Sequence, residues 1–290
     1  MEVSNRIPDS TMIGTVTLKV SDLEKLSTFY QLLGLEMLEK SEKTVRLGVQ
    51  ASNTTLLVLK KVPKPNIPRK TAGLFHTAFL LPDRQSLGDV LYTLLSKKLP
   101  ILGASDHGYS EALYLEDPEG NGIEIYRDKP REKWDIRPDG RIAGITVEMD
   151  AEGVLASRSA QPNESFPAGT RIGHIHLSVS DLEKTEQFYT TVLGFDLKDR
   201  FGDQARFFAA DGYHHHIGTN IWLGRDLPEP VAEDLGLDAY TILIESSAAQ
   251  SKVKNQLDQY NVLVSEKADG SIHFKDPSGI SVVLLTMESE

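Results

Sequence analysis

The chain has 290 residues, 40% hydrophobic and 25% charged, with a formal net charge of -11 and no cysteine. This is ordinary for a globular protein long enough to bury two cores, and it excludes disulfides, thiolate nucleophiles and cysteine-bound zinc. The acidic balance argues against nucleic acid as the main partner. No apolar run reaches spanning length, which argues against a membrane partner; Met1–Thr11 lacks a signal-peptide pattern, so the expected compartment is the cytoplasm.

The first predicted element is an alternating strand, Thr15-Val16-Thr17-Leu18-Lys19-Val20. Leu23, Leu26, Phe29, Tyr30 and Leu33 then recur at helical spacing, with Asp22 placed as the cap and Gly34 at the C-terminus. A more continuous apolar run around Phe79-Leu80-Leu81 predicts a strand buried on both faces. Two further strands, Ala112–Leu115 and Ile123–Tyr126, are joined by the turn Asp117-Pro118-Glu119-Gly120-Asn121-Gly122. The stretch 128–170 is polar, with scattered Pro and Gly, and reads as a connector. His174-Ile175-His176-Leu177-Ser178-Val179 is again an alternating strand, and Ile242-Leu243-Ile244 is again a continuous one.

These elements repeat. VSDLEKLSTFYQLLG (Val20–Gly34) returns as VSDLEKTEQFYTTVLG (Val179–Gly194), and Asp276-Pro277-Ser278-Gly279 repeats the earlier turn. The offset between the copies is constant at about 159 residues, the mark of an internal repeat. Four segments overlay: about 11–61, 73–127, 171–224 and 238–287. The expected organisation is a first pair of modules in 1–127, the connector 128–170, and a second pair in 171–290.

Four βαβββ modules with FY…LG helices and Asp-Pro hairpins resemble the vicinal oxygen chelate superfamily, which includes glyoxalase I, bleomycin-binding proteins and extradiol ring-cleaving dioxygenases. The resemblance covers nearly the whole chain outside the connector. It implies an α+β fold in which the modules pair into two open barrels. Fold alone does not select a function. In this superfamily metal ligands sit on the first and last strands of a module. In three modules the Asp after the first strand serves as a ruler: His174 lies seven residues before Asp181, His76 seven before Asp83, and Thr15 seven before Asp22, while the fourth module has no such Asp and its matching position falls near Thr241. On the last strands, Glu124 lies seven after Asp117 and Val283 seven after Asp276. The expected ligands are therefore His76, Glu124 and His174, with His176 on the same strand face as the nearest competitor. Alone, each histidine reads as a buried, hydrogen-bonded core residue; three residues at matching positions favour a metal. A two-His, one-carboxylate set suits non-haem Fe(II), with Mn(II) second. One barrel receives all three ligands only if the second module pairs with the third, so that pairing is expected. Typical extradiol enzymes instead carry the triad in their third and fourth modules.

The stretch HGYSEALYLEDPEGNGIEIY from His107 resembles the catalytic stretch of extradiol enzymes, with Tyr114 ten residues before Glu124. Tyr114 and His107 are expected to hydrogen-bond the bound substrate or oxygen. For Tyr114 the plain alternative is a strand aromatic, and for His107 a solvated loop residue. The run Tyr213-His214-His215-His216 lies where these enzymes place an acid–base histidine. If it is a strand, His214 and His216 share a face, which favours His216, then His214, and turns His215 away. A metal-binding tract or a surface loop are the other readings of that run. Asp22, Asp181, Phe29-Tyr30 and Phe188-Tyr189 occur in both copies and read as scaffold; Trp134 and Trp222 read first as core, with pocket lining as the alternative.

The resemblance thus implies cleavage of a small aromatic diol with O2, of the catechol 2,3-dioxygenase type. Homo-oligomerisation is left open. One rival is a glyoxalase-like isomerase or lyase, which normally has a second carboxylate; the fourth position falls near Asn220 or Trp222, neither of them acidic. The other rival is a small-molecule binding or resistance protein.

Overall fold

The computed structural model describes residues 6–67 and 69–287. The first module comprises β1 (Met12–Val20), α1 (Leu23–Leu33), β2 (Glu36–Lys40), β3 (Thr44–Val49) and β4 (Thr54–Lys61). The second comprises β5 (Gly73–Leu81), α2 (Arg84–Ser96), β6 (Gly103–Asp106), β7 (Ser110–Glu116) and β8 (Gly122–Asp128). The stretch read as a connector carries the short strands β9 (Asp135–Ile136), β10 (Ile142–Ala143) and β11 (Val147–Glu148), then α3 (Ala151–Ala156). The third module has β12 (Arg171–Ser178), α4 (Leu182–Gln187) with a π-helical turn at Phe188–Val192, β13 (Asp196–Phe201), β14 (Ala205–Ala209) and β15 (Ile217–Asn220). The fourth has β16 (Gly236–Ile244), α5 (Ser247–Gln259), β17 (Ser265–Glu266), β18 (Ile272–Lys275) and β19 (Ser281–Thr286).

The sequence caps these helices where it repeats. Asp22, Asp83 and Asp181 each accept hydrogen bonds from backbone N–H groups of the first helical turn. Each such cap contributes about 1 kcal/mol, and it also fixes where the preceding strand ends. Among the described residues no helix is long and apolar enough to cross a membrane.

The fold is α+β, with two curled sheets in the vicinal oxygen chelate arrangement. The nine-stranded sheet runs β11-β6-β7-β8-β5-β12-β15-β14-β13, and the eight-stranded sheet runs β17-β18-β19-β16-β1-β4-β3-β2. The second and third modules therefore join through the antiparallel β5–β12 pair, and the first and fourth through β1–β16. Each half of the chain contributes one module to each sheet.

The repeated FY pair ties the sheets together. The Tyr30 hydroxyl donates to Asp117 Oδ2 at 3.0 Å, and the Tyr189 hydroxyl donates to Asp276 Oδ2 at 3.3 Å. In both cases a helix of one sheet grips the Asp-Pro turn of the other. Both tyrosines are buried, where a phenol needs a hydrogen-bond partner. This accounts for the FY motif recurring in copies with and without a candidate ligand.

Candidate metal centre

Sheet register alone assembles the site. One row of paired residues crosses four strands: Tyr114 on β7 faces Glu124 on β8, Glu124 faces Ala78 on β5, and Ala78 faces His174 on β12. The next row runs Gly122, His76, His176, Gly218 and Phe207. Residues paired across a sheet share a face. Ala78 is too small to fill the space between Glu124 and His174, so their side chains reach over it and meet His76 from the neighbouring row.

They meet closely. His76 Nε2 and His174 Nε2 are 3.2 Å apart, and Glu124 Oε2 lies 3.0 Å from the first and 3.2 Å from the second. All three residues are buried. Burial opposes charge on Glu124, yet the two imidazoles, His174 foremost, outweigh it and hold the carboxyl well below its usual range. Burial pushes His174 down to about 4, against the pull of Glu124. A carboxylate and a neutral imidazole are ligating forms.

Hydrogen bonds alone do not account for this triangle. Glu124 Oε2 accepts from both imidazoles only if both Nε2 atoms carry protons, and then two N–H groups face each other at 3.2 Å. His174 Nδ1 is moreover buried without a partner. A divalent cation held by the three lone pairs removes the conflict between the N–H groups, so the donor set fits a metal. In the other sheet the matching Thr15 donates its hydroxyl to the Thr55 carbonyl at 3.1 Å, and Val283 is apolar.

A bulge aims His174. The β12–β5 register shifts between Ile172 and His174, a device that re-aims side chains next to functional sites. Gly173, at the shift, admits no side chain: a Cβ there would stand 1.9 Å from the Tyr126 hydroxyl. Gly173→Ala is expected to destabilise the fold by about 1–3 kcal/mol and to weaken metal binding. In Gly14→Ala, at the repeat equivalent, the three atoms nearest to such a Cβ all belong to the Leu243 side chain, from 2.9 Å, which can yield. Melting and metal titration of both variants check this; equal tolerance at the two positions would refute the role given to the bulge.

Other expected residues are placed as follows. The Tyr114 hydroxyl is 2.6 Å from His107 Nε2, and the Tyr114 ring is 6.0 Å from that of His76. His107 Nδ1 lies 2.8 Å from the Ile145 carbonyl oxygen. Residues 213–216 do not form a strand, because β15 begins only at Ile217. The expected alternation therefore fails. His215 packs most closely on His174, with ring centroids 4.2 Å apart against 6.2 Å for His214. His216 instead packs on Tyr213, at 4.9 Å, and its Nδ1 accepts from the Ala210 amide at 3.2 Å. Burial, then His214, pushes His216 down to about 3, as suits a neutral histidine that pins the turn. His214 Nδ1 is 2.8 Å from His215 Nδ1, and His214 Nε2 is 2.9 Å from Asp128 Oδ1.

Three neighbours escaped the sequence reading. Asp128 follows Glu124 on the same face of β8, a signal that alternation offered. Tyr109 stacks on His214 at 4.2 Å, and Phe207 packs on His215 at 5.0 Å. Trp134, from the connector, covers His214 at 5.3 Å. Trp222 is not core but 46% exposed, and it packs beside Phe75 and His176. The fourth ligand position also moves. The His216 carbonyl accepts from the Ile175 amide, beside His174, as Gly122 pairs with His76; two residues on, where the second module has Glu124, the third has Gly218. That glycine has no side chain, and a Cβ there would stand 2.9 Å from His176 Nδ1.

A model of the Glyoxalase/Bleomycin resistance protein/Dioxygenase superfamily matches residues 12–125 and 171–224. The chain belongs to that superfamily. It is 40% identical over 275 residues to a protein of Bacillus subtilis (strain 168) named catechol-2,3-dioxygenase, covering 93% of this chain and 95% of that one. Among solved structures, a putative dioxygenase from Bacillus subtilis subsp. subtilis str. 168 superposes with a TM-score of 0.65 at 14% identity, over 95% of this chain and 84% of that one. Glyoxalase I from Zea mays superposes with a TM-score of 0.58 at 17% identity, over 97% and 94%. These two likenesses speak for the fold alone.

Proposed function

We propose that the chain is a cytoplasmic, metal-dependent extradiol dioxygenase that opens a catechol-type ring beside its diol, both atoms of O2 entering the product. The observation that carries this reading is the meeting of His76, Glu124 and His174 beneath His215 on one side and the His107–Tyr114 pair on the other. The name of the B. subtilis relative supports the same reaction. Bound Fe(II), with Mn(II) as the second candidate, would supply the electron exchange between an electron-rich diol and O2.

The protein's own groups bind, orient and move protons. The ligand set carries a single negative charge, on Glu124, which leaves a divalent cation with net positive charge for a catecholate. The Ile145 carbonyl only accepts, so His107 Nδ1 carries a proton, and Nε2 on the other side of the ring pairs with the Tyr114 hydroxyl at 2.6 Å. Tyr114 is thereby fixed next to His76, where its oxygen can accept from a diol hydroxyl or, after rotation, its O–H can donate to a diol oxygen. His215 lies against His174 and is the group placed to take the diol proton and return it. Phe75 packs against His76, and Phe207 and Tyr109 against His215, so aromatic rings surround this region, which suits an aromatic substrate.

The glyoxalase-like reading is disfavoured by Gly218 at the fourth position. The binding-protein reading is disfavoured by a buried, convergent ligand set. Anaerobic loading with Fe(II), followed by catechol and air, is expected to give a yellow ring-fission product. Metal uptake without any change in catechol, joined to isomerisation of a thiohemiacetal, would move the assignment to the glyoxalase side.

A further inference from the structure

We propose that Asp128 and His214 are positioning residues that hold His215 with its proton on Nδ1, leaving Nε2 as a lone-pair acceptor on the opposite edge of the ring. The proposal rests on the reading of His215 as the proton-handling group. Its observations are independent of that reading.

The chain of contacts reads in one direction. Asp128 is a carboxylate and only accepts, so His214 Nε2, at 2.9 Å, is the donor. In a neutral His214 the other nitrogen, Nδ1, is then an acceptor. His215 Nδ1 lies 2.8 Å from it and must be the donor. A neutral His215 with its proton on Nδ1 has a bare Nε2. Imidazole side chains in water favour the opposite form, with the proton on Nε2, so the environment has to impose this one. The alternative, a charged His214 paired with the Asp128 carboxylate and donating to both sides, would make His215 Nδ1 the acceptor and put the His215 proton on Nε2, the outcome that the test below separates from the proposed one.

The carboxylate end is itself fixed. The Tyr213 hydroxyl donates to Asp128 Oδ2 at 2.9 Å and lies 2.8 Å from the Tyr126 hydroxyl. The His214 ring is held between Tyr109 at 4.2 Å and Tyr213 at 4.0 Å. Asp128 belongs to β8 of the second module and His214 to the turn before β15 of the third. The relay therefore exists only because those two modules share a sheet.

The test is a tautomer measurement by nitrogen-15 NMR of the full chain carrying diamagnetic Zn(II). His215 is expected with its proton on Nδ1 and His214 with its proton on Nε2. Finding His215 protonated on Nε2 overturns the proposal. As a second arm, His214→Phe removes the acceptor and is expected to shift His215 toward the Nε2-protonated form and to lower kcat by about 10²-fold, with KM and metal content unchanged. His214→Asn, whose amide oxygen stands near the position of Nδ1, is expected to restore most of the rate. A His214→Phe chain with wild-type kcat, or with His215 still protonated on Nδ1, also overturns it. The tautomer needs no turnover, so a chain that shows it without cleaving catechol would sink the dioxygenase reading and leave the relay standing.

Discussion

Glu124→Gln is expected to abolish stable metal retention, and with it ring cleavage, while leaving the fold intact. The substitution keeps size and shape but removes the only negative charge of the set, at the point where Oε2 lies 3.0 and 3.2 Å from two imidazole nitrogens. His174→Ala should do the same by removing a donor. Two measurements separate binding from turnover. Metal per chain after Fe(II) or Mn(II) loading and desalting should fall from near one to background. A bound metal at 100 times its Kd stabilises by about 2.7 kcal/mol, which at this chain length is a rise in Tm of several degrees. The wild-type chain should show that rise and both variants should not. If either variant retains one metal per chain, His76, Glu124 and His174 are not the ligands.

Why those three residues were legible, and others were not, follows from how far each signal reaches along the chain. The capping aspartates Asp83 and Asp181 fix the end of their first strands by local hydrogen bonds, so counting seven residues back lands on the same sheet level in both modules. The Asp-Pro turn does the same for Glu124. Local capping and strand alternation survive tertiary packing because the ladder itself enforces them. The count fails where the ladder stops. Asp211 adopts a positive φ of 54° and Gly212 follows it, so residues 213–216 trace a turn rather than a pleat. That is why His215, not His216, reaches His174. The fourth position moved from near Asn220 or Trp222 to Gly218 for a related reason: it is set by the β12–β15 ladder, where Gly218 pairs with His176, two residues beyond His174, and counting along one strand does not give that register. Asp128 sits in plain alternation with Glu124, but its partner His214 is 86 positions away in another module. The repeat exposed the modules. Only the sheet order shows which side chains meet across them.

His215→Ala is expected to lower kcat by about 10²–10⁴-fold, the usual contribution of a general acid–base group. Metal content and catechol binding should be nearly unchanged, because the ring packs on His174 without belonging to the ligand triangle. His215→Gln is the sharper variant: it keeps bulk between His174 and Phe207 and removes the group that takes up and returns a proton. It should be as slow as His215→Ala. His216→Ala is expected to behave differently. Its ring supports Tyr213, and its Nδ1 accepts from the Ala210 amide at 3.2 Å. Losing it strands a buried backbone N–H, a cost of about 1–3 kcal/mol, so it should melt earlier yet, below its melting range, turn over within several-fold of wild type. Steady-state rates beside thermal melts for the three variants decide between the two histidines. A fast His215→Gln chain, paired with a slow but fully metallated His216→Ala chain, would return the proton-transfer role to His216.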